Sequence, residues 1–179
     1  IARADCDDYY HVDRIKKQHN LLKKMKYVEL CGTNCVKVDL NDIALGFRDY
    51  PEHNLLIQKK MHLTSPFAHP SVMFKKSFFE RYGKYRTDID IEDYELWFRA
   101  KKNGCTFYNI QEYLTYLRIE DVSEFSRPRH WKENLQLKLK YFDNNFLFES
   151  FAGVFLFYFV SIIPTQLSKK LYDAVQNLR

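Results

Sequence analysis

Apolar residues recur at helical spacing near the start of the chain and then give way to runs typical of strands. The apolar side of this first helix consists of Ile15, His19, Leu22 and Met25. Asp13 precedes the helix and is placed to cap it, while the lysines on the other side indicate a solvated face. Residues 27–31 and 33–40 are rich in Val, Tyr, Cys and Thr around a glycine, which predicts two strands.

The alternation of helices and strands continues through the middle of the chain. The pattern predicts helices at about 54–63, 77–83 and 92–103 and strands at 105–110 and 113–117. Gly83 and Gly104 are placed to end helices, and Asp90 is placed to cap the helix that follows it. Pro70 forces the residue before it towards extended geometry, so 67–74 is expected to be a loop that enters a strand. These elements together predict an α/β layered domain.

Beyond residue 122 the pattern predicts helices alone, so we expect a domain at 1–122 and a helical extension at 123–179. The first helix of the extension covers about 127–141, with Lys132, Lys138 and Lys140 around its apolar side. Pro164 ends a strongly apolar segment at 146–163, and an amphipathic tail follows at 165–179.

The apolar segment allows three interpretations. Its uninterrupted core at 151–163 has about two thirds of the roughly 20 residues that a membrane-spanning helix needs, which disfavours spanning. A buried core helix or dimer contact, and a helix lying in the membrane interface, both remain open.

Composition narrows the class of protein without naming it. The 179 residues are 46% hydrophobic and 28% charged with five glycines and five prolines, which is typical of a folded globular protein. The net charge of +5 is too small to indicate nucleic acid, and no nucleic-acid-binding motif accompanies it. The four cysteines lack the spacing of a zinc site or a disulfide framework, so free thiols in a reducing, cytoplasmic compartment are expected. The first residues also lack the pattern of a secretory leader.

Three carboxylates, those of Asp5, Asp7 and Asp8, lie within four residues near the start of the chain. Such a cluster is either a solvated turn or helix cap, or an oxygen-rich site for a divalent cation. Glu92 and Asp93 pose a similar choice, because acidic residues in a first helical turn either stabilise the helix dipole or face a ligand.

Three segments, taken in order, resemble the family-2 type bacterial glycosyltransferases with a GT-A fold, which build capsule, lipopolysaccharide and related glycans. They are residues 2–8 (Ala-Arg-Ala-Asp-Cys-Asp-Asp), 68–74 (Ala-His-Pro-Ser-Val-Met-Phe) and 92–99 (Glu-Asp-Tyr-Glu-Leu-Trp-Phe-Arg). The resemblance covers roughly 1–118. It implies metal-dependent, inverting transfer from a nucleotide-diphosphate sugar, expected to be a UDP-sugar, to a saccharide or lipid-linked acceptor in cell-surface polysaccharide biosynthesis.

The resemblance also implies roles for particular residues. Asp7 matches a direct ligand of Mg²⁺ or Mn²⁺, and Asp5 belongs to the same Asp-x-Asp motif. Asp93 matches the catalytic base that takes the proton of the acceptor hydroxyl. Further substrate-binding candidates are Arg3, Asp5, Asp8, His69, Glu92 and Arg99.

The chain departs from the family pattern in two ways. The nucleotide-binding half that precedes the acidic motif in the family has no counterpart here, so we expect the C-terminal part of a catalytic domain that does not turn over alone. Residues 117–120 offer no histidine as a further metal ligand.

Other functions remain as alternatives. The chain is expected to act in the cytoplasm, with peripheral contact to the inner face of the membrane or a homodimer contact through its apolar segment. The alternative function is a non-catalytic fragment or assembly module. A phosphotransferase or nuclease would require a further acidic ligand set and a phosphate-gripping loop that the sequence does not show.

Overall fold

The computed structural model describes residues 1–119 and 128–163, together with the single positions Leu167, Leu171, Ala174 and Val175. The strands are β1 (Tyr9–Tyr10), β2 (Leu30–Val38), β3 (Ala44–Arg48), β4 (Met73–Phe74) and β5 (Phe107–Arg118). The helices are α1 (Arg14–Lys24), α2 (Asn54–Met61), α3 (Phe78–Tyr82), α4 (Glu92–Lys102), α5 (Pro128–Lys140) and α6 (Leu147–Ile162). The expected boundary at 122/123 and most of the tail at 165–179 lie outside the described residues.

The strands form one mixed sheet around the parallel pair β2 and β5. β1 pairs with β5, while β3 and β4 pair with β2, and all three pairings are antiparallel. Val38 and Arg118 are partners at the carboxyl ends of the parallel pair. In α/β sheets, ligands bind preferentially beyond the carboxyl ends of parallel strands, and the candidate site lies at this end.

The structure corrects the prediction of two strands at 27–31 and 33–40, because β2 runs through Gly32 without interruption. A Cβ on Gly32 would come within 2.3 Å of Asn109 Oδ1, so the glycine permits close packing rather than a break. β5 is likewise one strand, since the irregular pairing opposite Thr33 and Asn34 interrupts the register but not the strand. The sequence pattern missed β3 altogether.

The main core lies between the sheet and α2, α3 and α4. It contains the fully buried side chains of Leu30 in β2 and Phe107 in β5, together with Leu96, Trp97 and Ala100 of α4. The predicted helices at 54–63, 77–83 and 92–103 are confirmed within two residues at each end, and Gly83 and Gly104 follow their helices with positive φ angles of 80° and 79°.

Helix α1 covers the opposite face of β2, where Leu22 packs with Val28 and Cys31. The predicted apolar side is wrong in part, because Ile15 and His19 are exposed while Arg14 and Gln18 are buried. Asp13 stands at the N-cap position but makes no capping hydrogen bond. The burial of Arg14 and Gln18 is explained by the backbone carbonyls that they bind beneath the candidate site.

Helices α5 and α6 pack on each other and on the rest of the domain. Leu137 of α5 belongs to the main core, and Trp131 packs with Phe157 and Val160 of α6. Lys138, one of the lysines around the apolar side of α5, is only 2% exposed and donates a hydrogen bond to the Met61 carbonyl (2.9 Å). The extension is thereby anchored to the carboxyl end of α2.

One side of α6 is buried and the other carries large apolar side chains. Ser150, Gly153, Phe157 and Val160 are buried. The exposed side chains are Leu147, Phe148, Phe151, Phe155, Tyr158, Phe159 and Ile162. By length and composition alone, 144–162 is long and apolar enough to cross a membrane.

Candidate active site

The acidic segment follows a short strand-like contact near the start of the chain. Ala2 forms an isolated bridge with Met73, and the Arg3 amide donates to the Val72 carbonyl at 3.0 Å. After the acidic residues, β1 pairs Tyr9 with Tyr116 of β5. These contacts hold Asp5, Asp7 and Asp8 between two fixed points at the end of the sheet.

Each acidic side chain has its own surroundings. Asp5 accepts a hydrogen bond from Arg3 Nε at 2.9 Å, and its backbone amide donates to the Tyr10 hydroxyl at 2.8 Å. Asp8 accepts a hydrogen bond from the Arg118 amide at 3.0 Å. Burial raises the pKa of Asp8, and the nearby charges of Asp7 and Asp5 add to the increase. Asp7 is exposed.

The buried polar residues of α1 support this segment from below. Arg14 donates to the Arg3 carbonyl at 2.7 Å and also contacts the Val72 carbonyl at 3.5 Å. Gln18 donates to the carbonyls of Cys31 (3.1 Å) and Ser71 (2.8 Å). α1 therefore joins the acidic segment to the turn that carries His69.

His69 lies in a single 3-10 turn, His69–Ser71, that leads into β4. Its Nε2 shares a hydrogen bond with the Tyr85 hydroxyl at 3.1 Å, and its Nδ1 lies 3.9 Å from Asp93 Oδ2. Burial, followed by the charge of Arg3, lowers the pKa of His69 to about 4. His69 is therefore neutral near pH 7 and contacts Asp93 as a polar neighbour rather than as a cation.

Asp93 lies in the first turn of α4, with its side chain 22% exposed. One carboxylate oxygen accepts a hydrogen bond from the Tyr94 amide at 2.7 Å. Burial raises the pKa of Asp93 to about 6, outweighing the amide and the positive charge of Arg3. A carboxylate with this pKa is ionised near pH 7 yet more basic than an ordinary aspartate, as a general base requires.

The predicted cap of α4 is wrong. The residue at the N-cap position is Ile91, and Asp90 instead lies 3.5 Å from Arg129 Nε of α5. The Asp90 amide donates to Glu133 of the same helix at 2.8 Å. α5 therefore fixes the loop before α4, and with it the approach to Asp93.

One cavity of about 660 Å³ brings these groups together. Its acidic lining residues are Asp5, Asp7, Asp8, Asp90, Glu92 and Asp93. His69 lies in the same lining, and Arg3 contacts it through Asp5. The structure thus places all but one of the predicted site residues in or against a single cavity.

Arg99 is the exception. Its guanidinium forms an ion pair with Glu95 (2.9 Å) and donates to the Lys84 carbonyl (2.8 Å). It also donates to the Tyr82 carbonyl. These contacts hold the loop after α3 against α4, and Arg99 does not line the cavity.

The cavity contains further residues that the sequence pattern did not single out as site residues. They are Arg48, Tyr50, Arg118, His130 and Asn134, with Tyr85 behind His69. Arg118 holds the acidic segment by donating to the Asp7 carbonyl at 3.0 Å, while its other nitrogens bind the Leu40 carbonyl and Asp42. The signal in the sequence that could have identified Arg118 was its position at the end of the last strand.

The side chains of Asp5 and Asp7 offer carboxylate oxygens, which are the ligand atoms that Mg²⁺ and Mn²⁺ prefer. Among the described residues, no group of three acidic, histidine or cysteine side chains has metal-binding geometry. The arrangement therefore fits a cation held by one or two carboxylates that also needs phosphate oxygens from a ligand, which is usual for Mg²⁺.

The chain is similar in sequence to proteins named as glycosyltransferases. No family model matches the chain. It is 26% identical over 180 residues to the Escherichia coli UDP-Gal:alpha-D-GlcNAc-diphosphoundecaprenol beta-1,3-galactosyltransferase, covering 98% of the chain and 65% of that protein. It is 33% identical over 126 residues to the Escherichia coli O-antigen biosynthesis glycosyltransferase WbnJ, covering 69% of the chain and 48% of that protein. These relatives support the prediction of a glycosyltransferase.

A solved structure shares the fold of the chain. The crystal structure of S. aureus TarS in complex with UDP-GlcNAc matches 97% of the chain and 54% of the TarS chain, with a TM-score of 0.61 and 12% identity. This likeness confirms the predicted fold class, a partial GT-A-type α/β domain. The chain spans about half to two thirds of the length of these three proteins.

Proposed function

We propose that the protein is an inverting, metal-dependent glycosyltransferase of the family-2 type, and that this chain supplies its diphosphate-side and acceptor-side groups. The donor is a nucleotide-diphosphate sugar, of which a UDP-sugar is the first choice. The acceptor is a saccharide or a lipid-linked saccharide in cell-surface polysaccharide biosynthesis. The named relatives support this proposal at the level of sugar transfer.

The observation that carries the proposal is the sharing of one cavity by Asp7 and Asp93. Inverting transfer needs negative charge neutralised on the leaving diphosphate and a base on the opposite side of the sugar. The acidic segment contributes carboxylates that can hold a cation beside the diphosphate. The start of α4, a separate part of the chain, contributes the carboxylate that can act as the base. The cavity volume of about 660 Å³ is within the range of small-molecule sites.

Asp93 performs the proton transfer in this proposal. The acceptor oxygen attacks the anomeric carbon, the bond from that carbon to the diphosphate oxygen breaks, and the acceptor proton passes to Asp93. The pKa of about 6 leaves most of the carboxylate ionised at pH 7. The neutral His69 and the Tyr85 hydroxyl behind it restrict the space beside the carboxylate.

Asp7 and Asp5 hold the divalent cation, and Arg3 restrains Asp5 through its hydrogen bond. Burial would lower the pKa of Arg3, but Asp5 raises it above its usual value, so Arg3 stays charged. A bound Mg²⁺ or Mn²⁺ would supply the positive charge that stabilises the departing diphosphate. Asp8 and Glu92 remain for contacts to the sugar or ribose.

The exposed face of α6 supports a position at the inner surface of the cell membrane, where lipid-linked acceptors are available. Phe148 is 82% exposed, and Phe151 and Phe155 extend the same apolar surface. Flotation of the complete protein with anionic vesicles should fall when Phe151 and Phe155 are replaced by Ser. Phe47→Ser, an exposed aromatic change in β3, is the control. If the paired substitution instead converts a dimer to a monomer without changing flotation, α6 is a dimer contact.

The test of function uses the complete protein and calorimetric titration of UDP with Mn²⁺ or with a chelator. UDP binding should require the metal and should be lost in Asp7→Asn, whereas Asp93→Asn should bind UDP and lose sugar transfer. Asp88→Asn, an exposed change outside the cavity, is the control. Metal-independent or absent UDP binding by the folded protein would favour the assembly-module alternative.

A further inference from the structure

Arg48 is the last residue of β3, the strand that the sequence pattern missed. Its backbone is fixed by pairing with Cys35 of β2, and its half-buried side chain lines the cavity. The guanidinium lies 5.1 Å from the centre of the Tyr50 ring. Tyr50 is 4% exposed, and its amide and carbonyl bind Asn34 (2.8 Å) and Gln111 (3.1 Å). The ring is therefore a fixed platform that orients the guanidinium.

The other arginine of the cavity lining and two arginines beside the cavity form ion pairs with protein carboxylates. Arg118 forms an ion pair with Asp42 at 2.7 Å, and Arg3 forms one with Asp5 at 2.9 Å. Arg129 pairs with Asp90 and Glu133. Arg48 forms no ion pair with any described residue, although six carboxylates line the same cavity. Its charge is thus available to an anionic ligand.

We propose that Arg48 is a phosphate-binding residue of this cavity, an inference that rests on the proposed function for the identity of the phosphate. The guanidinium presents paired N–H donors that match phosphate oxygens. A phosphorylated substrate entering a cavity with excess negative charge requires such a partner in addition to any cation at Asp5 and Asp7. The phosphate belongs either to the nucleotide donor or to a phosphorylated acceptor, and binding experiments separate these sources.

The experiment measures binding of UDP and of inorganic pyrophosphate to the complete protein with Mn²⁺ present. In Arg48→Gln, we expect about tenfold or greater weakening of at least one ligand, the loss for one charge-assisted hydrogen bond. Arg48→Lys should recover part of the loss. Lys23→Gln removes one positive charge from the exposed side of α1 and should bind like the wild type. Thermal unfolding of each variant confirms that it is folded.

The outcomes of this experiment distinguish the source of the phosphate from a failure of the proposal. Weaker UDP binding assigns the phosphate to the donor. Unchanged UDP binding, with weaker pyrophosphate binding in the presence of saturating UDP, assigns it to the acceptor side. If folded Arg48→Gln binds both ligands like the wild type, the proposal is wrong. A wild type that binds pyrophosphate through Arg48 but not UDP would contradict the proposed function alone, and a wild type that binds neither would contradict both.

Discussion

Two regions of the molecule gather ionisable side chains, and they differ in how completely those side chains are paired. At the junction of α2, α4, α5 and α6, His62 shares hydrogen bonds with Lys101 Nζ (2.6 Å) and Ser150 Oγ (3.1 Å). Lys101 in turn forms an ion pair with Asp143 at 2.8 Å. In the cavity, Asp7 and Glu92 have no side-chain partner among the described residues.

The comparison shows that a shifted pKa alone does not identify a functional group. Burial lowers the pKa of His62 to about 3 and that of His69 to about 4. Both histidines are neutral near pH 7, yet only His69 lies beside a cavity with unpaired carboxylates. Incomplete pairing next to open space is the property that distinguishes the candidate site from the structural junction.

The largest expected effect is that of Asp93→Asn. Loss of a general base should lower the transfer rate by about 10²- to 10⁴-fold. The same change should raise the free energy of unfolding at pH 8, since the pKa of about 6 makes ionisation of Asp93 unfavourable in the folded state. Transfer assays and urea unfolding, with Asp88→Asn as control, measure both. Unchanged transfer would exclude Asp93 as the base.

The junction should respond to substitution through stability instead. Lys138→Ala removes a buried side chain that bonds the Met61 carbonyl and the Tyr94 hydroxyl, and should cost about 2–4 kcal/mol in urea unfolding. Lys138→Met fills the volume and should cost less. Transfer per folded molecule should change far less than in Asp93→Asn. A comparable loss of transfer in folded Lys138→Met would show that the two regions are coupled.

Because burial lowers the pKa of His62 and of His69, we expect the free energy of unfolding to fall in acid. Unfolded histidine binds a proton below about pH 6.5, whereas folded His62 and His69 do so only near pH 3 and 4. Stability therefore falls as pH drops through this window, by up to about 2 kcal/mol per histidine at pH 5. Urea unfolding of His62→Asn should show a shallower pH dependence than the wild type. An equal slope would contradict the burial of a neutral His62.

The smallest expected effect is that of Tyr85→Phe, which removes the hydroxyl that bonds His69 Nε2. One neutral hydrogen bond corresponds to a loss of about fivefold in transfer. The pH dependence of the rate should keep its midpoint near 6, because Asp93 sets it. A midpoint moved by a full pH unit would show that Tyr85 and His69 control the ionisation of Asp93.

Local patterns predicted most of the helices and the layered fold, since apolar periodicity and glycine stops act over a few residues. β3 was missed because it is only five residues long and has a glycine at its centre, which weakens a strand pattern. Its Leu45 and Phe47 side chains are also exposed rather than packed in the core. The two predicted caps failed for different reasons: Asp13 stands at the N-cap position without bonding a helix amide, whereas Asp90 lies one residue before the N-cap and contacts Arg129. Only for Asp90 did a contact with a distant segment, helix α5, decide the outcome.

The candidate site likewise contains residues that the sequence predicted and residues that it did not. The order of the motifs predicted which residues meet, and Asp7, His69 and Asp93 do line one cavity. For Arg99 the available local signal was Glu95, four residues earlier on the same helix, which pairs with it. Two carbonyls of the loop after α3 complete the contacts that hold Arg99 away from the cavity. Arg48 and Arg118 reach the cavity only because the sheet brings their strand ends there.

The buried polar side chains of α1 have a consequence for ligand affinity. Because Arg14 binds the carbonyls of Arg3 and Val72, and Gln18 binds that of Ser71, the acidic segment and the His69 turn are ordered as α1 docks. The entropy of arranging these two segments is then lost during folding, not when a ligand arrives. Association with the ligand should be fast and nearly free of structural rearrangement, so the amide of Arg3 should be equally protected from hydrogen exchange with and without UDP.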